Sequence, residues 1–148
     1  MKNISTKPLS HTLSFCLQLA KASAALSRRF DGRLGTVHGI GFGDFMLLFA
    51  LSQAPAAKLR RIDLAGELGL TASAVTRTLI PLEKIGLVKR QRDPHDARVG
   101  FAMLTEAGQR ILEESLVSAE VMSQDALPHL GAAKLQPLSE VLSRLAKQ

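Results

Sequence analysis

Length, composition and charge fix the broad class of this chain. Its 148 residues, 46% of them hydrophobic, fit one domain and argue against extensive disorder. A formal net charge of +6 and a pI near 10.0 favour an anionic partner. A single cysteine excludes an internal disulfide, and four scattered histidines give no metal-ligand spacing, so neither metal nor cofactor is expected.

No feature of the sequence predicts membrane insertion or secretion. Its apolar runs stay below the roughly eighteen residues of a membrane span. The N-terminal stretch MKNISTKPLSHTL lacks the basic, apolar, small-residue order of a secretion signal. We therefore expect a cytoplasmic protein with a single domain over residues 1–148 and no membrane partner.

Two helices are predicted in the first third of the chain. Mostly apolar residues recur at helical spacing over 9–34, and glycines at 35, 39, 41 and 43 are expected to break the chain there. A second helix is predicted from Asp44 to about Gln53. Its run FMLLFAL is nearly all apolar, which indicates burial from several sides.

Residues 62–84 predict two short helices joined by a tight turn. The first is Ile62 to Leu68, and Gly69 supplies a left-handed stop. Thr71 is expected to cap the second helix, Ala72 to Lys84, with its hydroxyl. Pro81 is expected to kink that second helix. A three-residue connection between two helices is typical of a helix-turn-helix.

A charged hairpin is predicted next. The apolar segments IGLV (85–88) and VGFAML (99–104) flank KRQRDPHDAR (89–98), which carries more charge than a turn requires. A helix-turn-helix followed by a hairpin with a basic tip is the pattern of a winged helix. Its second helix enters the DNA major groove, and the hairpin tip reaches the backbone or minor groove.

The charge distribution supports this interpretation. Residues 58–98 carry nine Lys/Arg against five acids, whereas from residue 99 onward there are four against six. The chain has neither Trp nor Tyr, so base stacking on single strands is disfavoured and double-stranded DNA is the expected partner.

The second helix of the pair divides into two faces. Val75, Leu79 and Leu82 are predicted to be buried. Short hydroxyls and an arginine on the other face suit phosphates and base edges, and Arg77 could pair with guanine. Each hydroxyl alone is equally explained as a helix-surface group or cap. The predicted DNA-binding residues of this helix and its cap are Thr71, Ser73, Thr76, Arg77 and Thr78. Arg90 and Arg92 of the hairpin are predicted to bind DNA as well.

Two helices are predicted after the hairpin. Thr105 is expected to cap a long helix that reaches about Gln124, and a last helix over 132–147 is expected to be broken near Pro137. The terminal helices carry more apolar surface than a small winged lobe could cover, which favours a homodimer.

The region from residue 62 to residue 109 resembles the MarR family of dimeric winged-helix transcription regulators. The fragments LTASAVTR, LEKIGLVKR, DPHDAR and LTEAG are similar to the family's turn, recognition helix, wing and post-wing helix. The resemblance implies a mainly α fold with a small β-hairpin wing. It also implies helical dimerisation regions at 1–40 and 105–148 and a winged helix-turn-helix at 44–104, binding a pseudo-palindromic operator.

The wing departs from the family's usual Asp-x-Arg-Asp-x-Arg. Asp93 and Asp96 match, and the resemblance implies that they brace the wing. Arg98 also matches and is expected to face DNA or brace the wing. His95 stands where the family has an arginine, so its minor-groove contact should weaken near neutral pH, with Arg92 taking part of that role.

The resemblance further implies a repressor that releases DNA when a small, often aromatic or phenolic, acid binds between the dimer and DNA-binding regions. Candidate effector contacts lie in and after the glycine-rich connection: His38, Phe42, Phe45 and Phe49. Phenylalanines at this spacing are more often core residues, and His38 is equally explained as a solvated loop residue.

The sequence allows three alternative functions. Similar regulators sense organic hydroperoxides through a cysteine near Cys16, but this chain lacks their supporting tyrosines, and an inert core thiol is favoured. A DNA-binding protein without an effector is the second alternative. An enzyme is disfavoured, because the sequence has no phosphate-binding glycine loop, metal-spaced cluster or nucleophile elbow.

Overall fold

The computed structural model describes residues 7–147, which form six helices and a small sheet. The helices are α1 (His11–His38), α2 (Phe42–Gln53), α3 (Arg61–Leu68), α4 (Ala72–Lys84), α5 (Glu106–Ala126) and α6 (Ala132–Ala146). The strands are β1 (Lys58–Arg60), β2 (Val88–Arg92) and β3 (Gly100–Leu104). The expected fold class, mainly α with a hairpin wing after a helix-turn-helix, is confirmed.

The sheet is antiparallel with strand order β1-β3-β2. Val88 pairs with Leu104 at the base of the hairpin, and Arg92 pairs with Gly100 near its tip. The sequence prediction missed β1, where Lys58 pairs with Met103. A strand of three residues is too short to leave a periodic signal. Its partner lies more than forty residues away in the chain, so no local pattern predicts the pairing either.

The core lies where α2 meets α1, α4 and α5. Leu47, Leu48 and Leu51 of α2 are fully buried, as the apolar run FMLLFAL predicted. The predicted stripe of α4 is also confirmed: Val75, Leu79 and Leu82 are each at most 2% exposed. α5 adds Leu112, Ala119 and Met122 to the same core cluster.

Two predicted helix boundaries near the glycines were wrong. α1 continues through Gly35 and ends at Gly39, whose φ of 71° is left-handed and whose amide donates to the Gly35 carbonyl. A glycine closes a helix in this way only where it adopts the left-handed conformation, which Gly39 does and Gly35 does not. α2 begins at Phe42 rather than Asp44, because the Asp44 carboxylate accepts the Gly41 amide and so caps the helix from within.

Both prolines lie inside continuous helices. α6 runs unbroken through Pro137, so the expected break there was wrong, and α4 continues through Pro81 to Lys84. Both prolines are exposed, so the carbonyls they leave without a helical donor lie on the outside of their helices, where water can satisfy them.

No single helix within residues 7–147 has the length and apolar character of a membrane span. α1 and α2 pass that test as a pair, but they are bent by 79° where they meet.

Candidate nucleic-acid interface

The turn between α3 and α4 has the geometry that the sequence predicts. Gly69 adopts φ 63°, and the Leu70 amide donates to the Ala65 carbonyl at 2.9 Å, which closes α3. The Thr71 hydroxyl accepts the Ala74 amide at 3.2 Å and starts α4. α4 is thereby held across α3, with its N-terminal turn at the molecular surface.

The outer face of α4 carries Ser73 and Arg77, both exposed as predicted. Ile80 and Lys84 also lie opposite the buried stripe, although neither was among the predicted DNA-binding residues. Both follow from the helical period, since they lie three and seven residues after Arg77. This face therefore combines two cations, a hydroxyl and one apolar side chain.

Thr76 and Thr78 were expected to be exposed but are half-buried. The Thr76 hydroxyl donates to the Ala72 carbonyl at 3.0 Å, and the Thr78 hydroxyl donates to the Ala74 carbonyl at 3.2 Å. Thr78 lies beside the buried stripe, because its position in the helical period is adjacent to Val75 and Leu82. Both hydroxyls therefore donate their hydrogen bond to a backbone carbonyl within α4.

A cleft of ≈ 420 Å³ separates the start of α4 from the wing. Three arginines line it: Arg60, Arg61 and Arg98. Arg61 donates to the Thr76 hydroxyl at 3.3 Å, whereas Arg60 lies 4.0 Å from Asp63. Arg60 and Arg61 were not among the predicted DNA-binding residues, although two adjacent arginines at the start of α3 were a visible signal in the sequence. The cleft concentrates positive charge between helix and hairpin.

The two wing acids hold the tip of the hairpin in shape. The Asp93 carboxylate accepts the His95 amide at 2.8 Å, and the Asp96 carboxylate accepts the Arg98 amide at 3.0 Å. The Asp93 amide and the Val99 carbonyl close the loop at 3.0 Å. These are Asx-type turns, which fix the backbone without a glycine.

The wing cations are all exposed, and two of them, Arg90 and Arg98, have an acidic partner. Arg92 and His95 are exposed, and the Arg98 side chain is 94% exposed, 3.6 Å from Asp96. Arg90, which is predicted to contact DNA, pairs with Glu83 of α4 at 2.5 Å while more than half of its side chain stays exposed. This pair ties β2 to the C-terminal end of α4. It aligns the two elements that flank the cleft.

One junction connects the hairpin to α5. The Thr105 hydroxyl donates to the Gly86 carbonyl at 2.6 Å and accepts the Gly108 amide at 3.0 Å, so the predicted cap is confirmed. Gly108 packs so tightly that a Cβ there would lie 2.1 Å from the Leu87 carbonyl oxygen. The start of α5 is thus fixed directly to the base of the wing.

A second cavity, of ≈ 590 Å³, lies between α2 and the segment from β1 to α3. Phe42, Phe45 and Phe49, three of the four candidate effector contacts, line it. His38 does not: it is the last residue of α1 rather than a loop residue, and its ring bonds to the Ser118 hydroxyl of α5 at 2.8 Å.

Cys16 is exposed on α1, so the expectation of a buried core thiol was wrong for the single chain. The first half of α1 extends away from the core, and the buried residues of this helix, Phe30 and Leu34, both lie in its second half. Among the described residues no cluster of three or more His, Cys, Asp or Glu side chains could hold a metal ion.

The α3–α4 pair and its basic hairpin define a winged helix-turn-helix protein. Residues 43–99 match the sequence profile of the MarR family. YdgJ, an uncharacterized HTH-type transcriptional regulator of Bacillus subtilis, is 32% identical over 90 residues, which are 61% of this chain and 55% of YdgJ. The chain thus matches about half of that relative's length.

Solved structures agree over nearly the whole chain. Sco3205, a MarR family transcriptional regulator from Streptomyces coelicolor in complex with DNA, superposes with a TM-score of 0.83 at 25% identity, covering 98% of this chain and 92% of Sco3205. NadR in complex with 4-hydroxyphenylacetate gives 0.79 at 27% identity, covering 96% and 99%. Residues 43–99 thus match the MarR family in sequence, and the chain shares the fold of these solved regulators over nearly its whole length.

Proposed function

We propose that this protein is a homodimeric transcriptional repressor that binds a pseudo-palindromic operator in double-stranded DNA. The observation that carries the proposal is the arginine-lined cleft between α4 and the wing. A helix of this kind fits the major groove, and a basic hairpin beside it meets phosphates or the minor groove. The DNA complex of Sco3205, which has the same fold, supports this assignment.

Each group of the interface has a separate role in this proposal. Arg77 on the outer face of α4 reads base edges, with guanine the preferred partner of a bidentate guanidinium. Arg60, Arg61 and Arg98 neutralise phosphates on either side of the groove, which gives affinity and salt dependence without sequence preference. Ser73, with its short side chain, permits close approach of the helix.

The terminal helices support the proposed dimer. α6 has 15 residues and none is buried, and the N-terminal half of α1 likewise has no buried residue. Leu138, Val141, Leu142 and Leu145 of α6 form an exposed apolar stripe at helical spacing. A second copy of the chain would cover these stripes and place two recognition helices on successive half-sites.

Effector release is the remaining part of the proposal. The cavity beside α2 has a volume within the usual range of small-ligand sites, about 300–1,000 Å³. Its walls include Leu59 of β1 and Leu68, the last residue of α3, so a bound ligand contacts the DNA-binding region directly. A ligand that prefers one orientation of α3 and α4 shifts operator affinity by linkage.

The test measures binding to the duplex upstream of the protein's own coding region and to a scrambled duplex, across a salt series. We expect selective binding, with a steep loss of affinity as salt rises. Arg77→Ala should reduce discrimination between the two duplexes by about 1–3 kcal/mol. Arg98→Ala should weaken both equally and flatten the salt slope. The matched control is Arg33→Ala, which also removes one positive charge but lies on α1, outside the cleft.

Equal and weak binding to both duplexes at every salt concentration would contradict a sequence-specific regulator. Selective binding that no small aromatic compound relieves would instead support the effector-independent alternative.

The exposed thiol of Cys16 keeps a peroxide-sensing repressor as the second candidate. Its flanking residues Phe15 and Leu17 are apolar and exposed, and neither supplies the cation or hydrogen-bond donor that activates a thiolate. We expect operator binding to survive treatment with cumene hydroperoxide in the wild type and in Cys16→Ser alike. Loss of binding in the wild type alone would favour peroxide sensing.

A further inference from the structure

The cavity beside α2 has an aromatic wall built from one helix. Phe42, Phe45 and Phe49 lie on the same face of α2 at helical spacing. Their rings stack in succession, with centroids 6.3 and 6.4 Å apart and interplanar angles of 13° and 16°. Met46 completes the wall with a polarizable thioether. Such a surface accepts a flat aromatic ligand by stacking.

The charge of this cavity is opposite to what an acid requires. Glu67 of α3 carries the only formal charge among the described lining residues, and Gln53 is neutral. Within residues 7–147 Glu67 has no ion-pair partner inside 4.0 Å. A carboxylate brought against the phenylalanine wall would lose hydration without gaining a cation, and it would meet the repulsion of Glu67.

An aromatic cation meets the reverse conditions. Glu67 attracts it at the cavity mouth, and the faces of the phenylalanine rings attract a positive charge through their quadrupoles. We propose that this site selects a positively charged aromatic compound, an amine or quaternary ammonium, over an aromatic acid. The inference rests on the proposed effector function, and it departs from 4-hydroxyphenylacetate, the compound bound in the NadR complex.

The test uses three naphthalene compounds that differ in charge: 2-naphthylmethylammonium, 2-naphthylmethanol and 2-naphthoate. Their fluorescence reports binding to the full chain, which has neither Trp nor Tyr to interfere. DNA is left out of this measurement. We expect the ammonium to bind at least about tenfold more tightly than the carboxylate, with the alcohol between them.

Variants of the single charged residue provide the decisive comparison. Glu67→Gln should bring the three affinities together, and Glu67→Lys should reverse the order of ammonium and carboxylate. Glu114→Gln removes an exposed acid of α5 outside the cavity and should leave the order unchanged. The proposal is overturned if the wild type binds the carboxylate as tightly as the ammonium, if no compound binds, or if Glu67→Lys keeps the wild-type order.

Adding operator duplex separates this inference from the proposed function. If the ammonium binds as expected but does not release DNA, the charge preference stands and effector control fails. If 2-naphthoate binds more tightly and releases DNA, effector control stands and the charge preference is overturned.

Discussion

Among the described glycines, Gly108 is the one whose surroundings leave least room for a side chain. A methyl group there would meet the Leu87 carbonyl oxygen at 2.1 Å and the Leu104 side chain at 2.7 Å, so α5 would have to shift away from the wing. We expect Gly108→Ala to lower the free energy of unfolding by about 1–3 kcal/mol, the usual cost of overpacking. Urea denaturation at fixed protein concentration measures this change.

Gly66→Ala is the matched control for this substitution. Gly66 lies inside α3, where an added methyl group would meet nothing within 4 Å, and its φ is not left-handed. Alanine there should stabilise the protein by about 0.5–1 kcal/mol through helix propensity. Equal effects of the two substitutions would refute the close contact at Gly108.

His95 supports a prediction on pH. Its side chain is exposed at the wing tip. The resemblance to the MarR family implies that members of that family have an arginine at this position. An imidazolium is attracted to phosphates and a neutral imidazole is not, so we expect DNA affinity to be higher at pH 6 than at pH 8. The expected gain is roughly two- to fivefold, the size of one exposed charge pair. Anisotropy titrations at both pH values measure it.

His95→Gln is the control, since it keeps a hydrogen-bonding side chain but cannot become charged in this range. Its affinity should change less with pH than that of the wild type. If both proteins gain equally at pH 6, the effect arises from another histidine and the role assigned to His95 is wrong.

Among the elements, the junction of α5 with the wing depends on one hydroxyl. Thr105 both caps α5 and holds the Gly86 carbonyl, so two elements share its hydrogen bonds. Thr105→Val keeps the shape but loses both bonds, and we expect a loss of about 1–2 kcal/mol in unfolding free energy. Thr105→Ser should recover most of it. A valine variant as stable as the wild type would show that the backbone bond from the Thr105 amide to the Leu87 carbonyl suffices.

Sequence reasoning succeeded for elements whose signals are local. The caps at Thr71 and Thr105 and the stop at Gly69 each depend on residues within about four positions, and all three are present. It failed where distant segments decide. β1 exists because β3 pairs with it, and no pattern in three residues records that pairing.

The candidate site divides in the same way. The exposure of Ser73 and Arg77 follows from helical period alone, whereas the pairing of Arg90 with Glu83 depends on how β2 crosses α4. Similarly, Phe42, Phe45 and Phe49 were selectable from spacing, but Glu67 faces the same cavity only because α3 packs beside α2. The sequence therefore predicts which face of an element is available, and the fold decides what it meets.

At the scale of the whole molecule, the C-terminal helices and the DNA-binding region differ in charge as well as in position. Residues 58–98 carry nine Lys/Arg against five acids, whereas the chain from residue 99 onward, which includes α5 and α6, carries four against six, and both helices present exposed apolar residues. Self-association through the apolar helices would therefore leave both basic clefts uncovered. Two clefts on one rigid body bind a two-fold operator with far higher affinity than either alone.

The last prediction tests this arrangement. Leu142→Asp places a charge in the middle of the α6 stripe, where Leu142 is 45% exposed in the single chain. Burial of an unpaired carboxylate in a dimer interface is unfavourable, so we expect sedimentation to find a monomer. Operator affinity should then fall by about a hundredfold or more, because the half-sites are no longer linked. Ile85→Asp changes an exposed apolar residue outside α1, α5 and α6 and should leave the dimer intact. A Leu142→Asp dimer with wild-type affinity would mean that the two copies meet through another surface.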